Sequence, residues 1–161
     1  MDIDLFDKKY KQNWQHYLIQ CGLGGLAIYL GLFLINLQQN PVILASVGAS
    51  TFIVFVTPEN YSAHRRNILG GHLMGFIVGG LVNLIPHTSD SNFAVILYSL
   101  AVAAALLVMA LTDTEHPPAA GTALGIAVQG ASVRIFVSLA ICVLVLSLFH
   151  HFFKKYLKNL L

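Results

Sequence analysis

Long apolar runs separated by short polar breaks fill most of this chain. Leu18 to Asn36, Pro41 to Thr57, Leu69 to Ile85, Phe93 to Thr112 and Arg134 to Phe153 are almost free of charge. A bilayer crossing takes about 20 apolar residues, within about 17 to 25. Each run therefore reads as a spanning helix. Pro41 opens the second, where a proline suits a first helical turn. The third is rich in glycine. A sixth stretch, Pro117 to Ser132 ("PPAAGTALGIAVQGAS"), is apolar and uncharged but short and broken by small residues. Its pattern allows a thin full crossing, a re-entrant half-helix or a loop.

The basic residues arbitrate, because cytoplasmic loops collect Lys and Arg. Lys8, Lys9 and Lys11 precede the first run, Arg65 and Arg66 separate the second from the third, and Lys154, Lys155 and Lys158 follow the last. The connections "NLQQ" and "HTSDSN" carry neither Lys nor Arg. With 117–132 crossing, both termini are cytoplasmic and eight of the nine basic residues lie inside, Arg134 alone outside. With five crossings the C-terminal lysines fall on the wrong face, so six is the better count. A four-span bundle with two re-entrant runs is the remaining option. The expected fold is thus an all-α polytopic transmembrane bundle with a short or broken fifth segment. Residues 1–17 form an interfacial lead with Trp14 and Tyr17 at the membrane surface, 18–153 the membrane domain, and 154–161 a basic cytoplasmic tail. Six spans split into three plus three of inverted orientation, with "PVILASVGAST" and "PPAAGTALG" as counterparts. Such a repeat places a binding site near the midplane.

Composition agrees and closes other classes. The 161 residues are 57% hydrophobic and only 10% charged, against about 25% charged in a soluble domain. A net charge of +2 is too small for a nucleic-acid binder. Cys21 and Cys142 fall inside apolar runs and read as small buried hydrophobes. No small-residue cleavage site follows the first run, so a cleaved signal peptide is not expected. Gly71, Gly75 and Gly79 repeat every four residues, which suits close helix packing. Gly22, Gly25 and Gly31 read the same way.

Candidate chemistry concentrates in "TDTEHPPAAGTALG", residues 112–125. A proline disfavours α conformation in the residue before it, so the helix ending near Thr112 cannot run through His116. A new helix starts at Pro117 or Pro118 without losing a donor that mattered. Free N–H groups of Ala119, Ala120 and Gly121, with the helix dipole, then offer an anion site. His116 beside them suits anion donation or proton shuttling, and Thr122 lies one turn on. Gly48, Ser50 and Thr51 in "GASTF" place small and hydroxyl residues inside the second span. Arg65, Arg66 and His72 stand at the start of the third, His72 about one turn in. Ionisable groups at such depth face a cavity or a partner. Asp113 or Glu115 pairing with Arg65 or Arg66 is the bland use of all four.

"DTEHPPAAGTALG", with "GASTFIVFVTPE" and "HRRNILGGHLMG", resembles the HPP family of integral membrane proteins, named for the tripeptide here at His116, Pro117 and Pro118. The resemblance runs from about Leu18 to Phe153. Plastid and cyanobacterial members are linked to nitrite transport, and some members carry CBS domains, of which none lies in this sequence. The resemblance implies a transporter or channel for a small anion, nitrite first, in a bacterial-type inner membrane. Ser50, Thr51, His116, Pro117, Pro118, Ala119, Ala120, Gly121 and Thr122 are the expected substrate contacts. Gly48, Arg65, Arg66, His72, Asp113 and Glu115 are the expected pathway residues. Two rivals are a proton or cation carrier using Asp113 and Glu115, and a membrane-embedded metal site or enzyme using both histidines and both acids. No H-E-x-x-H or Walker motif is present. No cofactor, metal or enzymatic activity is expected, and the glycine-rich faces suggest a homo-oligomer.

Overall fold

The computed structural model describes residues 8–33, 41–89 and 91–161, with side chains from Trp14 onward. The connection "NLQQ", residues 1–7, Asp90 and the side chains of Lys8, Lys9 and Lys11 lie outside the described residues. Six helices follow one another: α1 (Lys8–Phe33), α2 (Pro41–Val56), α3 (Arg65–Asn83), α4 (Asn92–Leu111), α5 (Pro118–Gln129) and α6 (Val133–Phe153). A short 3-10 turn, Tyr61–Ala63, joins α2 to α3. The architecture is an all-helical polytopic bundle. Among the described residues, three helices are long and apolar enough to cross a bilayer by length and composition: Trp14–Phe33, Asn92–Leu111 and Val133–Phe153.

The helix boundaries follow local chemistry. Ser91 caps α4 by accepting from Ala94 N, and Ser132 caps α6 by accepting from Ile135 N, each satisfying a donor that a helix start leaves free. Asp113 ends α4 with a positive φ of 55°, and Thr114 N donates back to the Met109 carbonyl. This is the left-handed turn with which many helices close, and aspartate tolerates it better than most residues.

α5 is the centre of the bundle. It packs against α2, α3 and α4. Its 12 residues extend only about 18 Å at about 1.5 Å each, short of the roughly 30 Å of a hydrocarbon core. A Cβ at Gly71 would meet the Cβ of His116, one at Gly75 the Ala119 carbonyl, and one at Gly79 the Ala123 carbonyl and Ile126. Asn83 at the end of α3 donates to the Ala127 carbonyl. α5 therefore runs beside α3 from about the level of Gly71 to its last turn. The glycine stripe is a packing surface, and it brings two backbones into contact. α2 and α5, both opened by proline, pack against each other.

The α1 seam differs from the expected one. Gln20, Gly24, Ala27 and Gly31 are buried, Gly24 against Thr51 and Phe55 and Gly31 against Cys142. Gly22 and Gly25 are exposed with nothing near them. Cys21 lies on the same outer face and is exposed, while Cys142 is buried. The period of the helix decides this, since positions 20, 24, 27 and 31 share one face.

The C-terminal segment is docked onto the bundle. Leu157 and Leu160 are buried, and Leu160 N donates to the Val56 carbonyl. Buried Gln20 donates to the carbonyls of Phe55 (2.6 Å) and Lys158 (2.9 Å) and accepts from Lys158 N (2.8 Å). Tyr17 donates to the Leu160 carbonyl. The start of α1, the end of α2 and the end of the chain thus share one end of the bundle with Arg65 and Arg66.

Candidate functional site

Where α5 begins, five polar side chains meet in the buried interior. Ser46 and Ser50 lie one turn apart on α2, His72 two turns into α3, Thr122 one turn into α5, and His116 in the bend before it. All five are buried. His72 is deeper than the single turn expected from its sequence position, because α3 starts at Arg65 and not at Leu69.

Ser50 is the hub. Its Oγ lies 2.9 Å from His72 Nε2, 2.8 Å from His116 Nε2 and 3.0 Å from the Ser46 carbonyl. His72 Nδ1 is 2.8 Å from Thr122 Oγ1, which is 2.9 Å from Ser46 Oγ. Ser46 Oγ donates to the Pro118 carbonyl. His116 Nδ1 lies 2.8 Å from the Ser62 carbonyl. A carbonyl only accepts, so His116 carries its proton on Nδ1 and, when neutral, turns a bare Nε2 toward Ser50. The 3-10 turn that presents Ser62 is itself held by Asn60, whose side chain accepts from Ser62 N. Among the described residues, no Asp, Glu, Lys or Arg bonds to either ring, and no three His, Cys, Asp or Glu converge as metal ligands.

The expected anion site at the start of α5 is different in kind. A helix start frees four N–H groups, but Pro117 and Pro118 have none. Pro117 adopts helical angles (φ −50°, ψ −38°). The turn thereby closes early: Ala119 N donates to the His116 carbonyl (2.8 Å) and Ala120 N to the Pro117 carbonyl (3.1 Å). The double proline removes two donors and the turn occupies two more. Gly121 faces α2, where a Cβ would stand 3.2 Å from that of Ser46. The donors available at this depth are side chains and not the backbone terminus.

Thr51 does not join Ser50. Its hydroxyl donates to the Val47 carbonyl in its own helix (3.0 Å), and its methyl faces Gly24 of α1. Adjacent residues on a helix point about 100° apart, which separates the pair. Gly48 is half-buried, with nothing within contact distance of an added Cβ. Asp113 takes the bland option foreseen for it: Arg66 Nη1 bonds its carboxylate at 2.7 Å, both side chains well exposed, and Arg66 Nη2 donates to the Thr112 carbonyl. Tyr61 donates to the same carboxylate (2.6 Å), and that bond holds its phenol above the usual range. Arg65 and Glu115 are exposed.

A crevice touches each histidine. One of about 240 Å³ is bounded by Glu115, His116 and Pro117 and by Leu106, Met109 and Ala110 of α4. The other, about 290 Å³ and almost wholly apolar, lies between α3 and α6, with His72 among Leu69, Phe76, Phe136 and Val143. Ser50 stands between the two rings. Ser46 and the Ser62 carbonyl were not foreseen from sequence. The four-residue spacing of Ser46 and Ser50 was a legible signal that both share one face of α2, whereas nothing local points to Ser62.

Two transmembrane proteins of Dictyostelium discoideum are similar to this chain. One is 31% identical over 125 residues, covering 73% of this chain and 43% of the relative. The other is 28% identical over 150 residues, covering 83% and 48%. The chain spans about half the length of these relatives. No solved structure matches it. The family model for the HPP transmembrane region matches residues 9–160. With the His-Pro-Pro bend forming one wall of the buried polar centre, this chain belongs to the HPP family of integral membrane proteins.

Proposed function

We propose that this protein is a membrane permease for a small inorganic anion, with nitrite the first candidate, and that the Ser50 centre is where the anion is held. The observation that carries this reading is a buried cluster of two imidazoles and three hydroxyls, free of fixed charge, inside a membrane bundle. A permeating ion must be able to leave, so several dipolar donors suit a deep site better than a lysine or arginine. Each hydrogen bond to a charged partner contributes about 1.5–3 kcal/mol, and desolvating the anion offsets much of that. Binding is therefore weak. Arg65, Arg66, Asp113 and Glu115 belong to the entrance, where Arg66 adds positive potential on the approach. No reaction is assigned to the chain. Both termini are cytoplasmic in a bacterial-type inner membrane, in keeping with the basic residues at that end of the bundle, and the protein works as a homo-oligomer.

The rival proton or cation route through Asp113 and Glu115 is weakened by the exposed pairing of Asp113 with Arg66. The test is a flux assay with purified protein in liposomes against nitrite, nitrate, formate and bicarbonate. Nitrite uptake above protein-free vesicles is expected, reduced at least tenfold by Ser50→Ala. If none of the four anions moves faster than in empty vesicles, the transport reading is wrong.

A further inference from the structure

The hydrogen-bond chain around Ser50 has more contacts than protons. Its contacts are His116 with the Ser62 carbonyl and with Ser50, Ser50 with the Ser46 carbonyl and with His72, His72 with Thr122, Thr122 with Ser46, and Ser46 with the Pro118 carbonyl. Each needs one proton between its two heavy atoms. With both rings neutral, the five side chains bring one proton each. Seven contacts thus share five protons.

Two contacts therefore lack a proton: with His72 donating from Nε2, one lies between Thr122 and Ser46 and the other falls on Ser50. If His72 donates from Nε2 to Ser50 and accepts from Thr122 at Nδ1, Ser50 has one hydroxyl proton and two remaining acceptors, His116 Nε2 and the Ser46 carbonyl. A proton arriving at His116 Nε2 resolves the competition. His116 then donates to Ser50 Oγ, and the Ser50 hydroxyl turns to the Ser46 carbonyl, 3.0 Å away. One N–H bond forms, and no bond within the protein breaks. Ser50 Oγ accepts from both rings with its two lone pairs. No heavy atom has to move.

We propose that Ser50, His72 and His116 form a binding site for one proton, taken up at His116 and carried together with the anion. The coupling rests on the transport reading above; the proton site itself does not. The proton enters by the crevice where Glu115, an exposed carboxylate, stands beside His116. The groups facing the two rings are Ser50 from α2, Thr122 from α5, the Ser62 carbonyl from the 3-10 turn and Glu115 from the bend. Across the second crevice α6 offers His72 only Phe136, Leu139, Ala140, Val143 and Leu144. No fixed cation opposes the added charge there, and the anion supplies its counter-charge. The ring centroids are 5.1 Å apart and both Nε2 atoms meet one oxygen, so a second cation is disfavoured by its neighbour.

Two measurements test this on the full chain in bilayers. Nitrogen-15 NMR of the histidines, assigned with His72→Gln and His116→Gln, reads the protons directly. At neutral pH, Nδ1–H with a bare Nε2 is expected on His116, and the spectra read which nitrogen of His72 carries its proton. On acidification one cationic ring is expected from the pair, absent in His116→Gln and kept in Ser50→Thr, which retains the hydroxyl. Two rings that both stay neutral while the protein is folded, or that become cationic together, would overturn the proton site. The second measurement follows nitrite and internal pH in vesicles at clamped voltage. One proton entering per nitrite, above the protein-free leak, is expected. Nitrite entering without a proton overturns the coupling and leaves transport intact. If nitrite does not enter, transport fails, and the NMR result still decides the site.

Discussion

Substituting Gly75 with alanine tests how α5 is held. The Cβ of alanine there would stand 2.5 Å from the Ala119 carbonyl oxygen and 3.3 Å from Ala123 N. Carbon and carbonyl oxygen settle at about 3.3–3.6 Å, so the two helices must part by roughly 1 Å. The obstructing atoms are backbone and cannot rotate away. Such overpacking costs about 1–3 kcal/mol, against a helix-propensity gain of about 1 kcal/mol for alanine over glycine. The net is destabilising by up to about 2 kcal/mol. Gly80 is the control: its added Cβ meets only the Cβ of Ala131, at 3.4 Å, so Gly80→Ala keeps the propensity gain. Parting α3 from α5 also stretches the 2.8 Å bond from His72 to Thr122 to roughly 3.8 Å, beyond hydrogen-bond reach. Thermal unfolding of both variants beside the wild type is the assay. At about 2–4 °C per kcal/mol for a chain of this size, Gly75→Ala should melt several degrees below Gly80→Ala and should transport poorly. If Gly75→Ala melts as high as Gly80→Ala, α5 is not clamped on the α3 backbone, and the geometry of the Ser50 centre loses its support.

Other outcomes follow from the same contacts. Arg66→Ala breaks an ion pair whose partners are 62% and 60% exposed, worth about 0.2–1 kcal/mol; saturated flux should stay near wild type, and a tenfold loss would put Arg66 in the deep pathway. Gln20→Ala strips three hydrogen bonds from a residue that is 1% exposed and leaves the buried Phe55 carbonyl unpaired at about 1–3 kcal/mol; trypsin should then cut after Lys158 much faster, read by mass spectrometry of the C-terminus, and unchanged cleavage would mean the tail is not docked there. Reporter fusions at Met1 and Leu161 should both read cytoplasmic, and opposite readings would remove one of the six crossings.

The spacing of apolar runs marked five of the helices and left 117–132 open between a crossing, a half-helix and a loop; the ends fell within a few residues except where α1 and α3 begin earlier than their apolar runs. The proline pair at 117 and 118 marked the break before α5, because a missing N–H and a fixed φ act locally and need no partner. The glycine spacing in α3 marked a close contact, although not its partner. What α5 touches was decided only by packing among α2, α3 and α4. The free helix terminus read from sequence failed for a local reason: the first turn closed on the His116 and Pro117 carbonyls. The Ser50 centre had to come from tertiary structure, since its members lie on α2, α3, α5 and a bend between helices. Residues 46 to 122 meet there because a buried hydroxyl or imidazole in a bilayer has no water to bond. Each must find its partners in the other helices, and no single segment carries that information.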